Sequence, residues 1–157
     1  MIEIERKFLV KNTDYKKDAF KKIFIKQGFL NSNKDRIVRV RLTDQQAFIT
    51  VKGTPLDDGI SRFEWEKEIS KSDAEELFNL CEEGCIEKTR YLIKMDKHTF
   101  EVDEFYGENE GLVVAEIELN HPTEDFKKPI WIDKEVTGDP KYYNSQLSKN
   151  PYIKWIK

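Results

Sequence analysis

Histidine and cysteine are scarce, with two of each among 157 residues, and that scarcity removes several kinds of chemistry at once. His98 and His121 stand in no cluster, so neither a zinc site nor a histidine-based nucleophile has support. Cys81 and Cys85, four apart in a predicted helix, have no partnering Cys or His and read as free thiols. No stretch approaches the ~18 consecutive apolar residues of a membrane span. The opening Met-Ile-Glu-Ile-Glu-Arg-Lys holds no apolar signal core. A cytoplasmic location with no membrane partner is therefore expected. A basic excess is also missing: the formal net charge of -3 weighs against a nucleic-acid partner. No Pro-, Gly- or Ser-rich linker interrupts the chain, so residues 1–157 are expected to form one domain around one core.

What the chain does have is charge: 36% of residues are Asp, Glu, Lys or Arg, against 38% hydrophobic, so where the charge sits decides the function. The dominant pattern is alternation with period two, the mark of strands. It recurs at 2–10, 23–30, 36–42, 48–52, 62–69, 88–94, 99–105 and 112–119, about eight strands in all. Turn formers separate them, and an antiparallel meander is the simplest topology. Helices are expected at 14–22, from the Ser72/Glu75 capping pattern to Gly84, and from Asp139-Pro140 through Tyr142, Tyr143 and Leu147 to Asn150-Pro151.

In an ordinary half-buried sheet the polar positions are miscellaneous, but here they are almost uniformly charged. Glu3, Glu5 and Lys7 alternate with Ile2, Ile4 and Phe8. The same split places Arg39, Arg41, Lys52, Arg62, Glu64, Glu66, Lys88, Arg90, Glu101, Asp103, Glu116 and Glu118 on the polar side of their strands. For any single strand a solvated face with cross-strand ion pairs is the simpler reading. Seven strands with the same pattern point instead to a closed sheet whose apolar face packs outward and whose charged face lines a tunnel. Seven bases, Lys7, Arg39, Arg41, Lys52, Arg62, Lys88 and Arg90, suit a ligand with several phosphates. The carboxylates beside them would repel that ligand unless hard divalent cations, Mg²⁺ or Mn²⁺, bridge the two.

Glu3-Ile4-Glu5-Arg6-Lys7 has the form ExExK, and further motifs follow it along nearly the whole chain. These are Gln27-Gly28-Phe29-Leu30, Arg39-Val40-Arg41, Thr50-Val51-Lys52-Gly53, Ser61-Arg62-Phe63-Glu64-Trp65-Glu66, Lys88-Thr89-Arg90-Tyr91, Glu116-Ile117-Glu118 and Glu135-Val136-Thr137-Gly138-Asp139. The series resembles the CYTH proteins, the triphosphate tunnel metalloenzymes. That resemblance implies an α+β fold, an eight-stranded antiparallel closed β-barrel with a few helices packed outside. It implies that Glu3, Glu5, Glu116 and Glu118 hold metal with Asp103 and Glu101 as helpers, that the seven bases clamp phosphates, and that Lys7 and Glu5 are catalytic. Lys7 either positions the reacting phosphate or pairs with Glu5 or a neighbouring strand.

The family contains inorganic, thiamine and RNA triphosphatases and class IV adenylyl cyclases. The early position of Glu3, and the lack of a Tyr-x-Asp-Thr strand before Gln27, favour the small bacterial-type inorganic triphosphatase, which hydrolyses tripolyphosphate to diphosphate and phosphate. A nucleoside or thiamine triphosphatase, a cyclase and a non-catalytic polyphosphate-binding module stay open as alternatives, and so does the oligomeric state, a homodimer included. Phe29 departs from the tyrosine common at that place in the family.

Overall fold

The computed structural model describes residues 1–155. Nine strands form one antiparallel sheet: β1 (Ile2–Val10), β2 (Ala19–Asn31), β3 (Arg36–Leu42), β4 (Ala47–Pro55), β5 (Ser61–Ile69), β6 (Ile86–Met95), β7 (His98–Phe105), β8 (Val113–Glu118) and β9 (Ile132–Glu135). The order is β5-β4-β3-β2-β6-β7-β8-β1-β9, and an additional β5–β1 pairing joins the first eight strands into a ring. The ring is therefore two meanders joined by the β2–β6 pairing and sealed by β1, not the single meander expected. Closure rests on only three register pairs, Ile2↔Phe63, Glu3↔Arg62 and Ile4↔Ser61. Further along, β9 pairs with β1 instead, at Phe8↔Glu135 and Val10↔Ile132.

The apolar faces of the strands do pack outward. On one side Phe8, Ile93, Phe100, Val102, Ala115 and Ile117 are buried under Tyr15, Leu119, Trp131 and Ile132. On another, Val40 and Ala47 are covered by Ala74 of helix α2 (Lys71–Phe78), with Leu77 and Phe78 alongside. Ser70 rather than Ser72 caps that helix, accepting a bond from the Asp73 N–H. A Ser side chain there satisfies an amide that has no partner within the helix.

Two expected helices differ. Only Tyr15–Asp18 is helical (α1) in the first region, and β2 begins at Ala19, because pairing of 19–27 with β6 outweighs a helix-like run of lysines. Near the end, Pro140–Tyr142 is a 3₁₀ turn and Asn144–Leu147 a single helical turn, α3. This C-terminal part does not lie outside the barrel as expected. Val136, Tyr142 and Leu147 pack instead against Phe29, Ile37, Ile86, Phe105 and Val114 on the inner face. The barrel is thus stoppered at one end by its own chain. Cys81 and Cys85 follow α2 and are free. Among the described residues no helix is long and apolar enough to cross a membrane.

Candidate active site

Above the stopper, the inner face bounds a cavity lined by Lys7, Arg39, Arg41, Lys52, Arg62, Lys88 and Arg90, all seven of the bases anticipated from alternation. Only three carboxylates join them in its lining: Glu3, Glu5 and Glu116. The pleat explains the gathering, because register partners share a face: Glu3 stands opposite Arg62, Lys7 opposite Glu116, and Arg90 opposite Asp103.

Most of the charges are paired. Lys7 Nζ donates to Glu116 Oε1 at 2.6 Å and lies 3.3 Å from Glu5. Burial works against its ammonium form, but Glu116 and Glu5 outweigh that and raise its pKa. Lys52 reaches Glu3 at 2.8 Å and Glu64 at 3.4 Å. Arg39 sits 3.4 Å from Glu66, which is exposed. Arg62 instead donates to backbone carbonyls of Gly53 and Lys34. Arg90 grips Asp103 with two parallel bonds of 2.8 and 2.9 Å and reaches Glu101 at 3.1 Å.

Asp103 is 1% exposed and also takes Lys88 Nζ at 2.8 Å. Burial would raise its carboxyl, yet Arg90 and Lys88 prevail and hold it at about 2. Lys88, equally buried, has its pKa lowered by desolvation, with Arg90 and Arg41 adding to the effect and Asp103, ionised 2.8 Å away, opposing it.

Arg41 is different. Among the described residues it forms no ion pair; its Nε donates to the Gln27 side-chain carbonyl at 3.0 Å. Burial lowers its pKa, and the neighbouring Arg39 and Arg90 lower it further, but a guanidinium stays charged. Among the described residues, the Arg39 Nε and the Ser145 hydroxyl, both on the cavity wall, are buried without a hydrogen-bond partner. A cavity with an uncompensated guanidinium and orphaned donors has the donor chemistry that suits an anion with several oxygens.

The anticipated metal ligands are not brought together as one group. Glu3, Glu5 and Glu116 line the cavity, whereas Glu118 and Glu101 line a neighbouring recess with Lys97, His98, Asn120 and Glu124. Asp103 is committed to its two cations. Among the described residues no three acidic, His or Cys side chains form a ready coordination set. The surroundings still suit a hard cation. Burial raises the Glu118 carboxyl, and Glu3, Glu101 and Glu5 raise it further; Glu3 is raised by burial too, with Glu64 adding to it and Lys52 opposing. Glu5 and Glu118 are register partners across β1 and β8. Crowded oxygen donors of this sort are relieved by Mg²⁺-like ions.

A family model for the CYTH domain matches residues 1–150. The chain belongs to the CYTH family. Its relatives include an inorganic triphosphatase of Acetivibrio thermocellus, 52% identical over 96% of this chain and 95% of that one. Another is an inorganic triphosphatase of Nitrosomonas europaea, 35% identical over 94% and 97%. The solved structure of the inorganic triphosphatase NE1496 superposes with a TM-score of 0.65 at 32% identity, covering 93% of this chain and 97% of its own.

Within this CYTH barrel, period-two reading missed the part of the wall that is not strand. Thr137, Gly138, Tyr143, Asn144 and Ser145 line the cavity from the C-terminal stopper, and Gly59 and Ile60 from the β4–β5 turn. The 135–139 motif was a signal for the first two, and nothing in the spacing of 143–145 pointed inward. Gln27 and Thr50 were legible as inner-face positions but carry no charge: Thr50 donates to Glu66 at 2.7 Å and receives Arg39 at 3.1 Å.

Proposed function

We propose that this CYTH chain, as one domain, hydrolyses inorganic triphosphate to diphosphate and phosphate. The observation that carries the reading is the cavity wall of seven bases against three carboxylates, with Arg41 lacking any carboxylate partner among the described residues. A linear triphosphate supplies the several negative charges such a wall needs, and it is the substrate named for the relatives in Acetivibrio thermocellus and Nitrosomonas europaea.

Arg39, Arg41, Lys52, Arg62, Lys88 and Arg90 bind and orient the chain of phosphates, their forks and ammonium groups meeting the non-bridging oxygens. Lys7, held between Glu116 and Glu5, keeps its charge through the working pH range and meets charge that develops on the reacting phosphate. Glu5 fixes Lys7 and orients the attacking water.

The divalent cation of the proposed reaction, Mg²⁺ or Mn²⁺, would be held by Glu3, Glu5 and Glu116 of the cavity wall, with Glu118, the register partner of Glu5, reaching in from the neighbouring recess. When bound it supplies neutralisation of phosphate oxygens and a more acidic water. Asp103 serves by holding Arg90 and Lys88 rather than by ligation. Transfer through a loose, metaphosphate-like transition state needs little more than this positioning and neutralisation, and no covalent protein intermediate.

Turnover assays with tripolyphosphate, ATP and thiamine triphosphate test the reading. Tripolyphosphate is expected to be the preferred substrate. Preference for either organic triphosphate, or binding of tripolyphosphate without turnover, overturns it.

A further inference from the structure

Asn144 opens α3, in the stopper, yet its side chain reaches the basic cluster. Its carboxamide oxygen accepts from Lys88 Nζ at 2.8 Å and from Gln27 Nε2 at 2.6 Å. Gln27, fully buried, uses its own oxygen to accept from Arg41 Nε at 3.0 Å. The direction of this relay is dictated at both ends. An ammonium and a guanidinium only donate, so each amide must turn its oxygen to the cation, and Gln27 is left with its nitrogen to offer Asn144.

We infer that Asn144 is a positioning residue for anion binding, aiming Lys88 directly and Arg41 through Gln27. The inference rests on the triphosphatase reading above. Lys88 has three N–H donors: Asp103 takes one at 2.8 Å, Asn144 takes a second, and the third remains for the cavity that Lys88 lines. Arg41, held among the described residues only at Nε, keeps both terminal nitrogens for a ligand.

The acceptors are neutral, and that is the point of using amides. A carboxylate in either place would hold the cations just as well and would cancel the charge the ligand needs. Lys7, Arg39, Lys52, Lys88 and Arg90 are steadied by carboxylates and Arg62 by backbone carbonyls, whereas Arg41 is steadied by a side-chain dipole. The stopper thereby becomes part of the binding site, and its docking is coupled to the geometry of two cations.

Asn144→Ala and Asn144→Asp separate this role from simple structural support. Asp accepts from Lys88 and Gln27 alike, so a merely structural contact is rescued by it. A role in aiming uncompensated charge is not. The melting temperature of Asn144→Asp should equal or exceed that of the wild type, while kcat/KM for tripolyphosphate falls roughly tenfold or more in both variants, chiefly through KM. Calorimetric titration with tripolyphosphate should show the same loss of affinity without reference to turnover. Gln27→Leu, which removes the relay but approximately keeps the volume, should lose affinity in the same way.

Wild-type kcat/KM in Asn144→Ala, or full rescue by Asn144→Asp, overturns the positioning role and leaves the triphosphatase reading standing. A wild-type chain that neither binds nor hydrolyses tripolyphosphate overturns both.

Discussion

Arg41 and Lys7 line the same cavity, yet they are held so differently that their substitutions should be kinetically distinct. Arg41 has no carboxylate partner among the described residues, and in the proposed reaction it would meet phosphate in the ground state and the transition state alike. Arg41→Ala should raise KM for tripolyphosphate about 10- to 100-fold, the range for losing a hydrogen bond to a charged group, with kcat little changed. Lys7, pinned by Glu116 and Glu5, is placed to act on developing charge. Lys7→Ala should reduce kcat about 10²- to 10³-fold at saturating metal, the scale of removing one preorganised donor. A change in KM alone would make Lys7 one more clamp.

Asp103 belongs to the stability side of the same cluster. Its folded pKa of about 2 lies below the ordinary 3.8, so its stabilisation is fully present above about pH 4 and is lost as pH falls through 2. That difference amounts to about 2 kcal/mol. Urea unfolding between pH 5 and pH 2 should show this loss in the wild type. Asp103→Asn should be destabilised by roughly 3 to 5 kcal/mol at neutral pH, because Arg90 and Lys88 are left buried without their partner, and should show a flatter acid limb.

At the level of elements, strands were legible and the C-terminal stopper was not. Alternation of Glu3, Glu5 and Lys7 with Ile2, Ile4 and Phe8 is a direct print of the pleat, so β1 spans the residues expected of it. Residues 19–22, Ala-Phe-Lys-Lys, break that print, and their strand state comes from β6, a partner more than sixty residues away. The segment from Val136 to Leu147 has no period at all. Its inward placement is decided by which apolar side chains the barrel end needs, and no local rule records that.

The seating of the stopper is tight: a Cβ on Gly84, whose φ is +96°, would fall 1.9 Å from the Ser148 carbonyl oxygen. Gly84→Ala should therefore destabilise the fold by more than 1 kcal/mol, through both the left-handed backbone and the clash. Leu147→Ala, from a site 1% exposed, should lose about 2 to 5 kcal/mol. Thermal melts of the two variants check both. Ser70→Ala at the start of α2 should cost only about 1 kcal/mol.

For the molecule as a whole, the wall of bases ties stability to ligand. Tripolyphosphate at 100 times its dissociation constant should stabilise the fold by about 2.7 kcal/mol, readable as a rise in melting temperature. Hydrolysis should fall to background in the presence of a chelator, because Glu3, Glu5 and Glu116 otherwise repel the substrate. Undiminished turnover in chelator would remove the metal from the proposal.

The stoppered end has a consequence for traffic. A tube open throughout can be fed at one mouth and emptied at the other, but a cup cannot. With Val136, Tyr142 and Leu147 packed across that end, a product of the proposed reaction would leave by the mouth through which the substrate came, and while still held by Lys88 it would bar the next arrival. Diphosphate added to the assay should accordingly compete with tripolyphosphate for the empty cup, raising KM without lowering kcat.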